Sequence, residues 1–264
     1  MPALPRFFVD TPLLASGEIA LPSGAARHVQ VLRLQPGDAL TLFDGSGPEW
    51  QAEVTAMGRS EVRVRLLAAA QPQRELARAV TLAVVMPAND RMDFLVEKAS
   101  ELGAAALQPL VAERSVLRLA GERADKKRAH WQGVAVAAAE QSGRTVPMRV
   151  EPVMALGAWL AALPEPSGDE WRGLLSPRAA APIAPFAQPQ AIFLSGPEGG
   201  LSDTEEDAAR TRGFAPVTLG PRILRADTAA VAALALVQAA LGDWGGGDGD
   251  TGGRAPSPLA GDGA

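Results

Sequence analysis

Apolar and polar positions alternate through the first seventy residues and then give way to longer periods. Glu61-Val62-Arg63-Val64-Arg65-Leu66 puts every second side chain on an apolar face, as a half-buried strand does. Arg6 to Val9, Ala39 to Phe43 and Trp50 to Thr55 are short runs of the same character, and Asp44-Gly45-Ser46-Gly47 supplies a turn between two of them. The pattern predicts a small β-rich barrel or sandwich over residues 1–70. Ala68 to Arg78 has Gln71-Pro72-Gln73 and no apolar period, which places an interdomain linker at 71–78.

From Ala79 the rhythm becomes strand, then helix, repeatedly. Strands are predicted at Ala79 to Val85, Ala106 to Val111, Trp171 to Leu175, Gln190 to Ser195 and Ala215 to Leu219. Between the first two, Asp90 can cap a helix in which Met92, Leu95, Val96, Ala99 and Leu102 share one face and Gly103 is the stop. Further helices are predicted at Glu122 to Gln141, at Met154 to Leu163, from a Ser202/Glu205 capping box to Gly213, and at Thr228 to Leu241, with Asp227 or Thr228 as cap. This alternation predicts an α/β domain with a mainly parallel sheet over 79–244. Residues 245–264 are rich in Gly, Asp and Pro and read as a disordered tail.

Composition narrows the chemistry. The chain has 264 residues and no cysteine, which rules out disulfides, Cys-based zinc sites and a Cys nucleophile. His28 and His130 are too few and too far apart for a metal cluster, so no metal is expected. The N-terminus lacks a signal-peptide pattern, and the longest apolar stretch near the C-terminus, Ala229 to Leu241 with Gln238 inside it, is too short to span a bilayer. The reading is a cytoplasmic protein with no membrane association. The net charge is −5, but Asp243, Asp248, Asp250 and Asp262 against Arg254 put −3 of it at the C-terminal end. Lys98, Lys126 and Lys127 are the only lysines; the other bases are arginines. That balance excludes a strongly basic, non-specific nucleic-acid binder and allows a local patch for structured RNA.

Two segments carry candidate chemistry. Ile192-Phe193-Leu194-Ser195-Gly196-Pro197-Glu198-Gly199-Gly200 leaves a strand through a Gly-rich loop and enters a helix, where open α/β sheets bind ligands. It has neither the Lys of a Walker A loop nor a Gly-x-Gly-x-x-Gly spacing. Pro197 and Glu198 suit a polyphosphate poorly and a ligand with cationic or hydroxyl groups better. The alternative is a tight connection with no ligand. In Leu219-Gly220-Pro221-Arg222-Ile223-Leu224-Arg225-Ala226-Asp227-Thr228-Ala229, the apolar Ile223 and Leu224 occupy a loop. They either line a pocket for a flat apolar group such as adenine or plug the core.

Together the two segments resemble the SPOUT class of methyltransferases, and within it the bacterial family that methylates N3 of a uridine in 16S ribosomal RNA. The resemblance runs from Arg6 to about Trp244. It takes in Arg6-Phe7-Phe8-Val9, His28 with Val31-Leu32-Arg33 and Gly37-Asp38, Glu97-Lys98-Ala99-Ser100-Glu101-Leu102-Gly103, Arg114-Ser115, and Ala139-Glu140-Gln141-Ser142 with Arg144. Asp227 stands where the family more often has Glu. The resemblance implies a PUA-like RNA-binding barrel followed by a trefoil-knot α/β domain. It also implies a homodimer whose active site draws on both subunits, with the RNA of the small ribosomal subunit as partner. S-adenosylmethionine is the implied cofactor, with Leu194, Ser195, Gly196, Pro197, Glu198, Gly199, Gly200, Leu219, Gly220, Ile223, Leu224 and Thr228 as its binding residues. Arg225 is the candidate catalytic residue, to stabilise charge developing on the base, unless it only pairs with a carboxylate such as Asp227. Arg6, Arg33, Arg114 and Arg144 are candidates for RNA contact. Two other functions are compatible: a non-catalytic RNA-binding ribosome assembly factor, and a SPOUT methyltransferase acting on another RNA.

Overall fold

Each of the two sequence rhythms folds into its own sheet. A computed structural model describes residues 4–14, 17–59, 61–87, 91–178, 181–183 and 186–241. The predicted Asp90 cap and the 245–264 tail lie outside the described residues.

The N-terminal sheet consists of β1 (Arg6–Phe8), β2 (Gly17–Ala20), β3 (Ala39–Phe43), β4 (Glu49–Met57) and β5 (Val62–Ala70), in the order β1-β3-β4-β5-β2. Helix α1 (Ser23–Val31) lies between β2 and β3 in sequence. The alternation in β5 buries Val62, Val64 and Leu66 together with Phe7, Leu40, Leu42 and Val54. β5 runs past the alternating Glu61 to Leu66 segment because β4 supplies partners there, with Ala69 opposite Trp50 and Ala70 opposite Glu49.

β2 and α1 escape the apolar pattern, for separate reasons. β2 is an edge strand with three of its four residues exposed, so it carries no apolar alternation. α1 buries only Ala25, Ala26 and Val29, and it starts at Pro22 without a side-chain cap. Small buried side chains and a missing cap remove the usual helix signals.

The C-terminal sheet is parallel throughout, in the order β12-β10-β11-β6-β7-β8. Its strands and helices are β6 (Ala79–Val85), α2 (Arg91–Glu101), β7 (Ala106–Val111), α3 (Gly121–Ser142), β8 (Arg149–Val150), β9 (Met154–Ala155), α4 (Leu156–Ala162), β10 (Glu170–Leu175), β11 (Gln190–Ser195), α5 (Asp203–Thr211), β12 (Ala215–Val217) and α6 (Ala226–Leu241). Both faces are covered, which is why β6 and β11 read as continuous apolar runs. Val80, Leu82, Val84 and Phe193 pack with residues of α2, α3 and α6 on one face. Ala83, Val85, Ile192 and Leu194 pack with residues of α4 and α5 on the other.

Three predicted boundaries shift. The segment predicted as a helix from Met154 begins with two strand residues, because Met154 and Ala155 pair with Leu110 and Val111. The last strand stops at Val217. α6 starts at Ala226, so Asp227 and Thr228 sit inside its first turn and do not cap it. Among the described residues, no helix is long and apolar enough to cross a membrane.

Strand order creates the site. β12 lies on the far side of β10 from β11, and the chain then returns so that α6 packs against β6, β11 and α2. The loops after β10, β11 and β12 are thereby gathered at one edge of the sheet.

Candidate functional site

The carboxyl ends of β10, β11 and β12 open into one cleft of about 730 Å³, measured with its open side included. Parallel neighbouring strands end at the same edge, and their connections leave a crevice there. Ser176 and Pro177 contribute from the loop after β10. Gly196, Pro197, Glu198 and Gly200 contribute from the loop after β11, and Thr218 to Gly220 and Arg222 to Leu224 from the loop after β12. Ala226 and Ala229, at the start of α6, close one side.

The first loop is tightly held. A side chain at Gly196 would place its Cβ 3.1 Å from both the Cγ and the amide nitrogen of Leu201. Gly200 has φ +68° and its amide donates to the Pro197 carbonyl at 2.8 Å. Leu201 is buried, and Ser202 and Glu205 form the predicted capping box at the start of α5. Glu205 also accepts from the Glu113 amide at 2.8 Å, and Arg114 donates to the carbonyls of Gly199 (3.1 Å) and Leu201 (3.4 Å). The second loop turns at Gly220, whose φ of +102° is open to glycine and strained for other residues. The Thr218 hydroxyl stabilises that turn by accepting from the Gly220 amide at 3.3 Å and donating to the Gly220 carbonyl at 3.1 Å.

The cleft is mostly apolar, with carboxylates at defined places. Leu174, Leu175, Leu201, Val217, Leu219, Ile223 and Leu224 form its walls. Glu198 lies 3.8 Å from the Arg91 guanidinium, and the buried Glu206 accepts from Arg178 at 2.7 Å. Arg225 is exposed, and among the described residues its side chain makes no hydrogen bond or ion pair. Asp227, two residues on, is only 8% exposed, and its Oδ1 has no hydrogen-bond partner among the described residues. Arg225 and Asp227 therefore do not pair.

Of the candidate cofactor residues, the structure brings together Ser195, Gly196, Pro197, Glu198, Gly200, Leu219, Gly220, Ile223 and Leu224 around the cleft. Three are elsewhere. Leu194 is fully buried in the core of the α4/α5 face. Gly199 lies against the Arg114 side chain. Thr228 is exposed on α6 and does not line the cleft. Sequence reasoning misses the residues from the end of β10, Leu174 to Pro177, and also Glu206. Trp171 to Leu175 is a predicted strand, so the rule that ligands bind at carboxyl ends could have found the first group. Nothing in the sequence places α5 over the cleft.

The four candidate RNA-contacting arginines separate into two kinds. Arg33 is exposed, with a left-handed backbone (φ +57°). Arg114 is exposed but engaged with the Gly-rich loop. Arg144 is not available to RNA: it is 4% exposed, donates to Glu75 at 2.6 and 2.9 Å, and donates to the carbonyls of Ser100 (2.8 Å) and Ala104 (2.9 Å) at the end of α2. Arg6 is likewise tied down. Its guanidinium pairs with Glu49, donates to the Gly143 and Arg144 carbonyls at 3.1 Å each, and lies over the Phe43 ring. Removing a buried, hydrogen-bonded cation leaves its acceptors unpaired. Arg144→Ala should therefore destabilise the protein by about 3 kcal/mol. Urea unfolding checks this, and a midpoint equal to that of the unsubstituted protein would contradict it.

Among the described residues no cluster of His, Asp and Glu could hold a metal ion. Residues 74–238 match the model of an RNA methyltransferase domain, and residues 21–67 match an RNA methyltransferase PUA domain. The chain is 34% identical over 244 residues to the ribosomal RNA small subunit methyltransferase E of Synechocystis sp., covering 89% of this chain and 78% of the relative. It is 32% identical over 258 residues to the protein of that name from Mycobacterium bovis, covering 90% and 92%. Among solved structures, the Neisseria gonorrhoeae ribosomal RNA small subunit methyltransferase E bound to S-adenosyl methionine superposes with a TM-score of 0.83 at 34% identity, covering 90% of this chain and 98% of that one. A putative methyltransferase from Legionella pneumophila, in complex with the same cofactor, superposes with a TM-score of 0.84 at 31% identity over the same shares.

Proposed function

Because this chain belongs to the ribosomal RNA small subunit methyltransferase E family, we propose that it methylates N3 of a uridine in 16S ribosomal RNA, with S-adenosylmethionine as methyl donor. The fold is that of the SPOUT knotted methyltransferases with an N-terminal PUA-like domain. The observation that carries the reading is the cleft itself: two glycine-turned loops from the same edge of the parallel sheet enclose an apolar space edged by carboxylates.

The residues present fit the cofactor. Leu219, Ile223 and Leu224 offer apolar surface to a flat adenine. The Cβ direction of Gly220 meets no protein atom within 4 Å, so the backbone there is open to close approach by a ligand. Glu198 and Glu206 bring carboxylate oxygens to the cleft that can accept from ribose hydroxyls or an amino group. When bound, the cofactor supplies an electrophilic methyl group on a sulfonium.

The task left to the chain is to hold the uracil edge in line and to stabilise the charge on the base as its N3 proton is lost. Orientation of this kind can supply a large part of a rate enhancement. Arg225 does not itself line the cleft but stands between Leu224 and Ala226, which do, and its exposed side chain has no partner among the described residues; in this reading it donates to a uracil carbonyl oxygen. The tight loop after β11 fixes Glu198, and Arg91 orients it. The N3 proton leaves to solvent through the open side of the cleft in this reading. The protein works as a cytoplasmic homodimer in this reading. The half-exposed Phe94 on α2 and Leu236 on α6 support an interface on that side of the domain.

The test is nucleoside mass spectrometry of 16S ribosomal RNA from a strain lacking the gene. Loss of 3-methyluridine, restored by the gene in trans, is the expected result. An unchanged 3-methyluridine content would refute the assigned target.

A further inference from the structure

The ties between the barrel and the methyltransferase domain converge on one place, the C-terminal end of α3. The helix ends at Gly143 (φ +85°), which exposes its last carbonyls. Such carbonyls carry the negative end of the helix dipole and need donors. Arg6 of β1 donates to the carbonyls of Gly143 and Arg144, and Arg74 donates to the Gly143 carbonyl at 2.8 Å. Both arginines also bind Glu49 of β4, Arg74 at 2.9 Å. Burial by itself would raise the Glu49 pKa, but hydrogen bonds from the two guanidiniums outweigh it and hold the carboxyl below its usual value. In the last turn of α3, the Glu140 carboxylate accepts from the Phe8 amide at 2.9 Å and lies 3.7 Å from His28 of α1. The connecting segment is fixed as well: Glu75 accepts from the Thr145 and Val146 amides at 3.2 Å and pairs with the buried Arg144.

We propose that Arg6, Glu49, Arg74 and Glu140 form an interdomain lock that holds the barrel in one orientation on α3, and that they act as positioning residues for the RNA. This rests on the reading that the substrate is RNA bound partly by the barrel. The lock joins three barrel elements (β1, β4 and α1) to a single helix end, with both charged and backbone hydrogen bonds. The four side chains are spent on each other and on main-chain groups, which makes them poor partners for phosphate. A barrel fixed in this way presents bound RNA at one distance and angle from the cleft. A barrel on a released segment would sample many orientations, and most of the orientational advantage would be lost.

The experiment compares Glu140→Ala, Glu140→Gln and Arg6→Ala with the unsubstituted full-length protein. The glutamine variant keeps an acceptor for the Phe8 amide, and the alanine variant does not. Interdomain distance is read from spin labels at Ala56→Cys and Ala208→Cys, both exposed positions in a chain with no native cysteine, diluted with unlabelled protein. Cofactor affinity is read by calorimetry, and methylation of small ribosomal subunits under single-turnover conditions. For Glu140→Ala and Arg6→Ala the expected results are a broadened distance distribution, unchanged cofactor affinity and a methylation rate lowered at least about tenfold. Glu140→Gln should restore a narrow distribution and most of the rate. A distribution that stays narrow in both alanine variants overturns the lock. A broadened distribution with an undiminished rate overturns the positioning role. If Arg6→Ala does not fold, the two Glu140 variants decide alone. If the unsubstituted protein fails to methylate subunits, the proposed function fails, and the distance measurement still decides the lock.

Discussion

Gly220→Val is expected to lower S-adenosylmethionine affinity about 10- to 100-fold while leaving the protein folded. At φ +102° glycine is at ease and a β-branched residue is an outlier. Holding such a residue there costs about 1–3 kcal/mol, and each 1.4 kcal/mol is about tenfold in affinity. The protein itself leaves space for the new side chain, since nothing lies within 4 Å of the position its Cβ would take. The unliganded loop can therefore relax without disturbing the core. The proposed cofactor site cannot, because relaxing the turn moves Leu219, Ile223 and Leu224, and not relaxing it puts a branched side chain into the cleft. Titration calorimetry, with thermal unfolding as the control for folding, reads the result. An unchanged dissociation constant would remove the loop after β12 from the cofactor site.

The cleft is legible in the sequence through its punctuation. Glycine and proline at Gly196-Pro197 and Gly220-Pro221, each following an apolar run, mark two strand ends without any knowledge of sheet order. Order is not available from one sequence. That β12 lies beyond β10, and that Ser176, Pro177 and Glu206 therefore face the same space as Gly196 and Gly220, depends on pairings between residues far apart in the chain. In the sequence the knot comes from the resemblance alone, because a chain crossing leaves no local trace in composition or period. The arginines show the same limit. Arg144 and Arg33 look alike as residues, yet one is buried against a glutamate and the carbonyls of Ser100 in α2 and Ala104 just beyond it, and the other is exposed on the barrel. A guanidinium serves an RNA phosphate and a helix C-terminus equally well, so the side chain type cannot decide between them.

Arg225→Ala should lower turnover more than cofactor affinity. S-adenosylmethionine is a sulfonium cation, and a second cation near its reactive centre gains nothing in the ground state. A uracil losing its N3 proton is different. Its charge spreads onto the two flanking carbonyl oxygens, which a guanidinium can contact with its fork of donors. The contact strengthens as charge develops, so its loss appears in the rate. The Arg225 side chain is exposed and without a partner among the described residues, so it is available to a substrate. Its backbone is fixed, because its carbonyl accepts from the Ala229 amide at 2.8 Å in the first turn of α6. Removing one donor of this kind should cost about 10²–10³ in rate. Single-turnover methylation of small ribosomal subunits at saturating cofactor measures it. A rate equal to that of the unsubstituted protein would take Arg225 out of the chemistry. Weakened cofactor binding with a normal rate would make it a cofactor clamp. A slowed rate with Arg225→Lys nearly as slow as Arg225→Ala would show that the paired geometry of the guanidinium matters, beyond its charge.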